Sequence, residues 1–335
     1  YFGSYLIVSS QGTAFGVGQL SSLITYGFMM LMSLMMLSFV FAMIIIAEEG
    51  ARRICEVLLA TSTINNPENP LTEVTDGSID FENVGFSYSG PEGREALSGV
   101  DLHINSGEVI GIIGGTGSAK STLVQLIPRL YDVTAGSVSV GGHNVKDYDI
   151  DTLRGAVAMV LQKNVLFSGT IKENLLWGNP DATDEEILEA ARLAQADSFV
   201  QTFPDKYETH IEQGGNNVSG GQKQRLCIAR ALLRRPKVLI LDDSTSAVDT
   251  KTDSLIRSGL KDFLPDTTKI IIAQRTSSIE ESDKIIVLDN GRVNAIGTHE
   301  ELLKDNPIYR EVYFSQNKQS VDENQSQEGE VTSHE

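Results

Sequence analysis

The run Gly114-Gly115-Thr116-Gly117-Ser118-Ala119-Lys120-Ser121-Thr122 constrains this 335-residue chain more than any other stretch. An apolar segment, Val109-Ile110-Gly111-Ile112-Ile113, precedes it and reads as a buried parallel strand. Leu123 to Leu130 follows and reads as a helix. A strand, a glycine-rich turn, Lys-Ser and a helix make up the setting of a phosphate-binding loop. Small residues let successive backbone N–H groups curl around phosphate oxygens, and the helix start adds partial positive charge. In that reading Lys120 reaches the β- and γ-phosphates of a nucleotide, and the Ser121 hydroxyl sits on Mg2+. Glycine is the usual residue before the lysine, but here it is Ala119. Its methyl is harmless at negative φ and costs about 1 kcal/mol or more at positive φ.

The length suggests about two domains. A formal charge of −18 argues against a nucleic-acid partner, which would favour a basic face. Cys55 and Cys227 lie far apart without metal-ligand spacing, and read as reduced thiols that serve packing. The chain opens on Tyr1 with neither methionine nor signal peptide, as expected of a fragment.

Tyr1 to Ser10 is short and apolar, consistent with the end of a membrane helix. Gln11 to Gln19 reads as a loop. Leu20 to Ala47 carries no charge. As a helix it would be roughly 42 Å long, against a hydrocarbon core of about 30 Å, so it reads as a transmembrane segment. Arg52 and Arg53 follow, which places that end in the cytoplasm. Met29, Met30, Met32, Met35, Met36 and Met43 fall within this segment. They face lipid or a neighbouring helix, or they line a permissive path for apolar substrates.

Asn65 to Pro70 has linker composition. Beyond it, Ile79–Phe86, Val109–Ile113, Val157–Leu161, Val238–Leu241, Lys269–Ile272 and Lys284–Leu288 read as strands. Asp184–Ala196, Gly220–Leu233 and Thr252–Phe263 read as helices. The alternation predicts an α/β phosphate-loop nucleotide-binding domain with a mostly parallel sheet covered on both faces, preceded by α-helical transmembrane segments. The expected division is 1–64 for the membrane part, 65–76 for the linker, 77–314 for the nucleotide-binding domain and 315–335 for a disordered acidic tail.

Val238-Leu239-Ile240-Leu241-Asp242-Asp243 is an apolar strand ending in two carboxylates. It fits a strand that delivers Asp242 to Mg2+ through water, with the next residue activating the attacking water. Val218-Ser219-Gly220-Gly221-Gln222 precedes a basic amphipathic helix and lies a short way before that strand. Together with the phosphate loop, these motifs resemble an ATP-binding cassette (ABC) transporter of the exporter type. In that family a membrane domain is fused ahead of the ATPase domain. The resemblance runs from Tyr1 to about Ser315 and makes the membrane part the end of a fifth helix and the whole of a sixth.

The resemblance implies further roles. Tyr88 is similar to the aromatic that stacks on adenine. Gln162 matches the glutamine that touches Mg2+ and the attacking water and couples to the membrane domain. Ser219, Gly220, Gly221 and Gln222 would form the signature that caps ATP held by a second cassette. Ser246-Ala247-Val248-Asp249 resembles the D-loop, an interface element, with Asp249 at the nucleotide. The implied ligands are ATP and Mg2+. The implied partners are a second half-transporter, membrane lipid and an export substrate that the sequence leaves open.

Two positions depart from the family pattern. Asp243 stands where glutamate is usual as general base. The shorter side chain draws the carboxylate back by roughly 1.5 Å, about one carbon–carbon bond. A misplacement of about 1 Å can cost on the order of 100-fold in rate. Gln274 stands where histidine is usual in the switch; it can donate to the γ-phosphate but cannot shuttle a proton. Both changes strike water activation and leave the binding groups in place. The expectation is the hydrolytically weak half of a heterodimeric multidrug-type exporter in the cell membrane, with a cytoplasmic cassette whose signature serves the partner. The alternatives are an active homodimeric exporter, a regulatory ATP-binding subunit without turnover, and a non-transporting ATPase on the same head, which the uncharged Leu20–Ala47 stretch opposes.

Overall fold

The structure is a computed structural model that describes residues 1–11, 13, 16–243 and 248–316. It divides into two compact units, Tyr1–Thr63 and Ile64–Glu335. The predicted tail, from residue 317 onward, lies outside the described residues, as do Ser246 and Ala247 of the predicted D-loop.

The first unit holds α1 (Phe2–Ser9) and α2 (Val17–Leu58). α2 runs for 42 residues and buries none of its side chains within its unit. It starts inside the segment that the glycines suggested was loop. Thr25, Ser33 and Ser38 donate their hydroxyls to the carbonyls of Ser21, Met29 and Leu34 at 2.9, 2.8 and 3.0 Å. Polar groups on an apolar helix are thus satisfied by the helix itself, which is what hydrocarbon surroundings demand. The charges come late: Arg52 and Arg53 both pair with Glu49, one turn past the uncharged stretch. By length and composition α2 can cross a membrane, and it is the one helix among the described residues that can.

The second unit begins with β1 (Ile79–Phe86), β2 (Leu97–Ile104) and β3 (Val109–Gly114), followed by α3 (Lys120–Gln125). Next come β4 (Ala135–Val140), β5 (His143–Asn144), α4 (Ile150–Ala156) and β6 (Val157–Val160). A helical segment follows, with β7 (Gly169–Thr170), α5 (Ile171–Leu176), α6 (Asp184–Leu193), α7 (Asp197–Val200) and β8 (His210–Ile211). The chain then forms α8 (Gly220–Leu232), β9 (Val238–Asp242), α9 (Thr250–Phe263), β10 (Thr268–Ile272), β11 (Lys284–Asp289), β12 (Arg292–Gly297) and α10 (His299–Asp305). Residues 307–316 are again helical, so the two residues assigned in sequence to the start of the tail continue a helix. α3 also stops short of Leu130: Pro128 has no N–H to continue the ladder, and Arg129 turns to φ +51°.

The central sheet has the order β12-β11-β3-β10-β9-β6, parallel throughout except for the β11–β12 hairpin. Its inner strands β11, β3, β10 and β9 are buried on both faces, whereas the edge strand β12 is not. Along β9, Leu239 and Leu241 enter one core with Ile228 of α8 and Ile256 of α9. Val238 and Ile240 point the other way, into a core with Phe81, Val100 and Leu123. That alternation is the period-two geometry of a strand with two covered faces. One cover is the helical segment, as the sequence reading expected. The other is an antiparallel sheet, order β2-β1-β4-β5, of which the sequence reading identified only β1. Of the two cysteines, Cys227 is buried against the helical cover, whereas Cys55 is exposed on α2 and serves no packing within its unit.

If α2 spans a bilayer, Leu34→Arg near the middle of its uncharged stretch should impair membrane integration by about 3 kcal/mol. Integration assayed by alkaline extraction should fall, whereas Leu58→Arg at the charged end should leave it intact.

Candidate functional site

Strand register brings the chemistry to one edge of the central sheet. β3, β10 and β9 run parallel, with Ile112 opposite Ile272 and Ile272 opposite Asp242. β6 runs beside β9, with Val160 opposite Leu241. All four strands therefore end together. The end of β3 and the loop after it carry Gly114 to Ala119, the turn after β9 carries Asp243, the loop after β10 carries Gln274, and the loop after β6 carries Gln162. Ligands of open parallel sheets bind at such C-terminal edges.

At the phosphate loop, Gly114 passes so close to β11 that a Cβ there would lie 2.2 Å from the Leu288 carbonyl oxygen. Only glycine fits without moving backbone. Gly117 turns at φ +81°, and Ala119 follows at φ +69°, ψ +26°, in the left-handed region. This is the case in which the methyl is costly. Lys120 folds back over the loop. Its ammonium donates to the carbonyl oxygens of Gly114 and Gly115 at 2.8 and 2.9 Å and reaches the Ser118 hydroxyl at 3.4 Å. Burial pulls its pKa below the ordinary lysine value, while Asp242 and Asp243 oppose that shift. Thr116, Ser121 and Thr122 complete the loop and the first turn of α3.

Asp242 ends β9 and is buried. Asp243 turns out of the strand at φ +47°, with its N–H donating to the Ile272 carbonyl at 2.9 Å. Its carboxylate is gripped from two sides. Gln162 Nε2 donates to Oδ2 at 3.2 Å, and Gln274 Nε2 donates to the same oxygen at 2.8 Å. Burial first, and then the neighbouring Asp242, push the Asp243 pKa above the usual carboxylate value; the Gln162 amide and Lys120 pull against them. The structure thus joins three residues singled out separately in the sequence, Gln162, Asp243 and Gln274, in one hydrogen-bonded cluster.

Tyr88 is half-exposed and stands edge-on to Phe86 and Tyr131, with ring centroids 4.8 and 5.2 Å away. Its hydroxyl lies 3.0 Å from that of Thr122, which ties the aromatic to the helix behind the phosphate loop. Ser219 and Gln222 form a reciprocal cap at the start of α8. Ser219 Oγ accepts from the Gln222 N–H at 3.2 Å, and the Gln222 side chain accepts from the Ser219 N–H at 2.9 Å. Gly220 and Gly221 fill the first turn between them. Asp249 caps α9 by accepting from the Thr252 N–H at 2.9 Å. These last residues make local caps and do not join the Gln162–Asp243–Gln274 cluster. Gln316, which no motif in the sequence marks, bonds through its side chain to the loop carrying Gln274. Nothing in its Ser/Gln-rich surroundings marked it.

The Ser121 hydroxyl, the Gln162 amide and the Asp242 carboxylate offer the hard oxygen donors that Mg2+ takes alongside phosphates and water. Among the described residues no three His, Cys, Asp or Glu side chains gather into a metal cluster. The donor set therefore fits an ion that arrives with a nucleotide, not one held in an all-protein cage.

Residues 97–246 match the family model described as ABC transporter. A putative multidrug export ATP-binding/permease protein of Staphylococcus aureus is 44% identical over 245 residues, covering 73% of this chain and 42% of that protein. An uncharacterized ABC transporter ATP-binding protein of Mycobacterium bovis is 42% identical over 321 residues, covering 94% of this chain and 54% of that protein. The chain thus spans about half the length of these relatives, or less. Among solved structures, a bacterial Atm1-family ABC exporter with ATP bound superposes with a TM-score of 0.77 at 33% identity, over 91% of this chain and 54% of that one.

Two substitutions test this geometry. Ala119→Gly relieves a left-handed alanine worth about 1–2 kcal/mol, offset by roughly 0.4–1 kcal/mol of added unfolded-state freedom. Thermal unfolding should show a net gain of about 0–1.6 kcal/mol. Asp243→Asn removes a carboxylate whose folded pKa is raised, so its ionisation begins to oppose folding above the ordinary carboxylate value and does so in full above the raised one. The variant should be more stable than the parent at neutral pH. That advantage should fade as pH falls toward the ordinary carboxylate range, where both folded and unfolded forms hold the proton.

Proposed function

Since this chain carries an ABC transporter domain over residues 97–246, we propose that it is the ATP-binding end of an exporter half-transporter whose own site binds ATP but cleaves it slowly. The single observation that carries this reading is the Asp243 carboxylate, short by one methylene and held on one oxygen by Gln162 and Gln274. In the reading, the phosphate-loop amides and Lys120 bind the triphosphate, while Ser121, Gln162 and Asp242 hold Mg2+. The ion neutralises phosphate charge. Tyr88 offers its exposed ring to the adenine base.

ATP favours a closed pair of cassettes over an open one and so shifts the equilibrium between states of the membrane helices. The Ser219–Gln222 cap presents the N-terminus of α8, the polarity suited to a phosphate held by a second cassette. That cassette would belong to a different chain carrying glutamate and histidine at the positions of Asp243 and Gln274. The assembled protein would lie in the cell membrane with the cassette in the cytoplasm, in keeping with Arg52 and Arg53 after the uncharged stretch. The relatives' printed names, multidrug export and exporter, support the direction of transport. The chemistry of the exported substrate is left open. A second reading, an active homodimer, draws on the complete Ser219–Gln222 cap, which could serve an identical chain equally well.

The test is ATP turnover by the assembled protein. Asp243→Glu with Gln274→His should raise the rate attributable to this site, by as much as about 100-fold if reach alone limits it. Replacing the partner's glutamate should nearly abolish turnover by the parent pair. Brisk ATP hydrolysis by this chain paired only with itself would overturn the weak-site reading and favour the homodimer.

A further inference from the structure

Gln316 ends the described chain, on the helical run 307–316. Its amide oxygen accepts from the backbone N–H of Thr276 at 2.9 Å and lies 3.2 Å from the Thr276 hydroxyl. Its amide nitrogen donates to the carbonyl oxygen of Gln274 at 2.7 Å. One side chain therefore supplies the loop after β10 with a donor and an acceptor, much as a paired strand would. Glutamine carries both in one plane at the end of a flexible reach.

The helix that presents Gln316 is itself fixed. Tyr309, one of the most deeply buried side chains, packs in the core, and its hydroxyl lies 2.7 Å from His299 Nδ1. The other half of the same loop is braced from α9. Arg257 donates to the carbonyl oxygens of Ser277 and Ser278 at 3.2 and 3.1 Å. Gln274 stands at the end that Gln316 holds, and its side chain reaches Asp243. Without Gln316, the Gln274 carbonyl and the Thr276 N–H lose that partner, while the Arg257 end stays held.

We propose that Gln316 is a positioning residue for Gln274, setting where the Gln274 amide stands at the nucleotide site. It touches neither the nucleotide nor Asp243 and acts through the backbone of the loop. The proposal rests on the reading of Gln274 as the switch residue of that site.

The test is release of a labelled non-hydrolysable ATP analogue from this chain's site in the intact protein with the subunits it assembles with. Gln316→Ala should speed release roughly two- to tenfold, the range expected for a lost hydrogen bond. Gln316→Glu keeps the shape but sets an oxygen against the Gln274 carbonyl, so it should act in the same direction and serves if the alanine variant misfolds. Gln274→Ala should also speed release, and adding Gln316→Ala to it should change little, because residues acting as one unit are not additive. Release unchanged in both Gln316 variants would overturn the proposal. So would a Gln316→Ala effect that persists in full without the Gln274 side chain, since that would mark a general structural role. The weak-site reading is judged separately, by turnover of ATP itself. Fast turnover would end that reading and leave the release ratios to decide the role of Gln316.

Discussion

The parallel ladder of β3, β10, β9 and β6 is the constraint on which the site depends. Its register sets Ile112, Ile272 and Asp242 side by side, so the loops that follow leave the sheet at one level. A slip of one residue in β9 would turn Leu239 and Leu241 out of the helical-side core and swing Asp242 to the opposite face. The same apolar burial that holds the sheet together therefore aims its polar ends. Gly114 shows how little slack remains at that edge, because the neighbouring strand occupies the space a side chain would need.

At this edge the sheet gathers charge that its own burial opposes. Desolvation is the largest influence on both Lys120 and Asp243, and it weakens the charged form of each. Each helps keep the other ionised, while the second carboxylate, Asp242, favours the lysine's charge and disfavours that of Asp243. The left-handed turns at Ala119 and Asp243 add backbone strain next to these groups. Backbone strain beside desolvated charged groups is the combination found at many functional sites. The cost is borne by the two cores on either side of the sheet.

Much of this was legible in the sequence, for identifiable reasons. Buried parallel strands read as uninterrupted apolar runs, so β3, β9, β10 and β11 stood out, and their polar ends marked the site edge. The antiparallel cover was harder to read. β2 interrupts its apolar residues with Ser98, Gly99 and Asp101, and β4 opens on Ala135-Gly136, so neither looks like a strand without its partners in view. The Leu123–Leu130 segment looked helical because its apolar residues are dense, but Pro128 removed a donor and ended it early. At the site, residues with a motif around them were found, and Gln316 was not. A hydrogen bond from residue 316 to residues 274 and 276 depends on how a terminal helix docks, which no local pattern encodes.

The Gln162–Asp243–Gln274 cluster separates two ways in which a general base can be poor. One is low proton affinity; the other is failure to reach the water. The Gln162 amide, Lys120 and Arg275 favour the ionised carboxylate and lower its affinity for a proton, yet burial and Asp242 outweigh them, and the net displacement is upward. Low proton affinity therefore does not account for the proposed slowness. In the proposed weak site what Asp243 would lack is length, and what the amides add is restraint, since both bind the same oxygen. A glutamate on the same backbone would carry its carboxylate roughly 1.5 Å farther, about one carbon–carbon bond, past the point where the amides converge. The proposed slowness of this site is accordingly a matter of distance. A second carboxylate placed nearer the phosphorus should matter more than any change that merely makes Asp243 more basic.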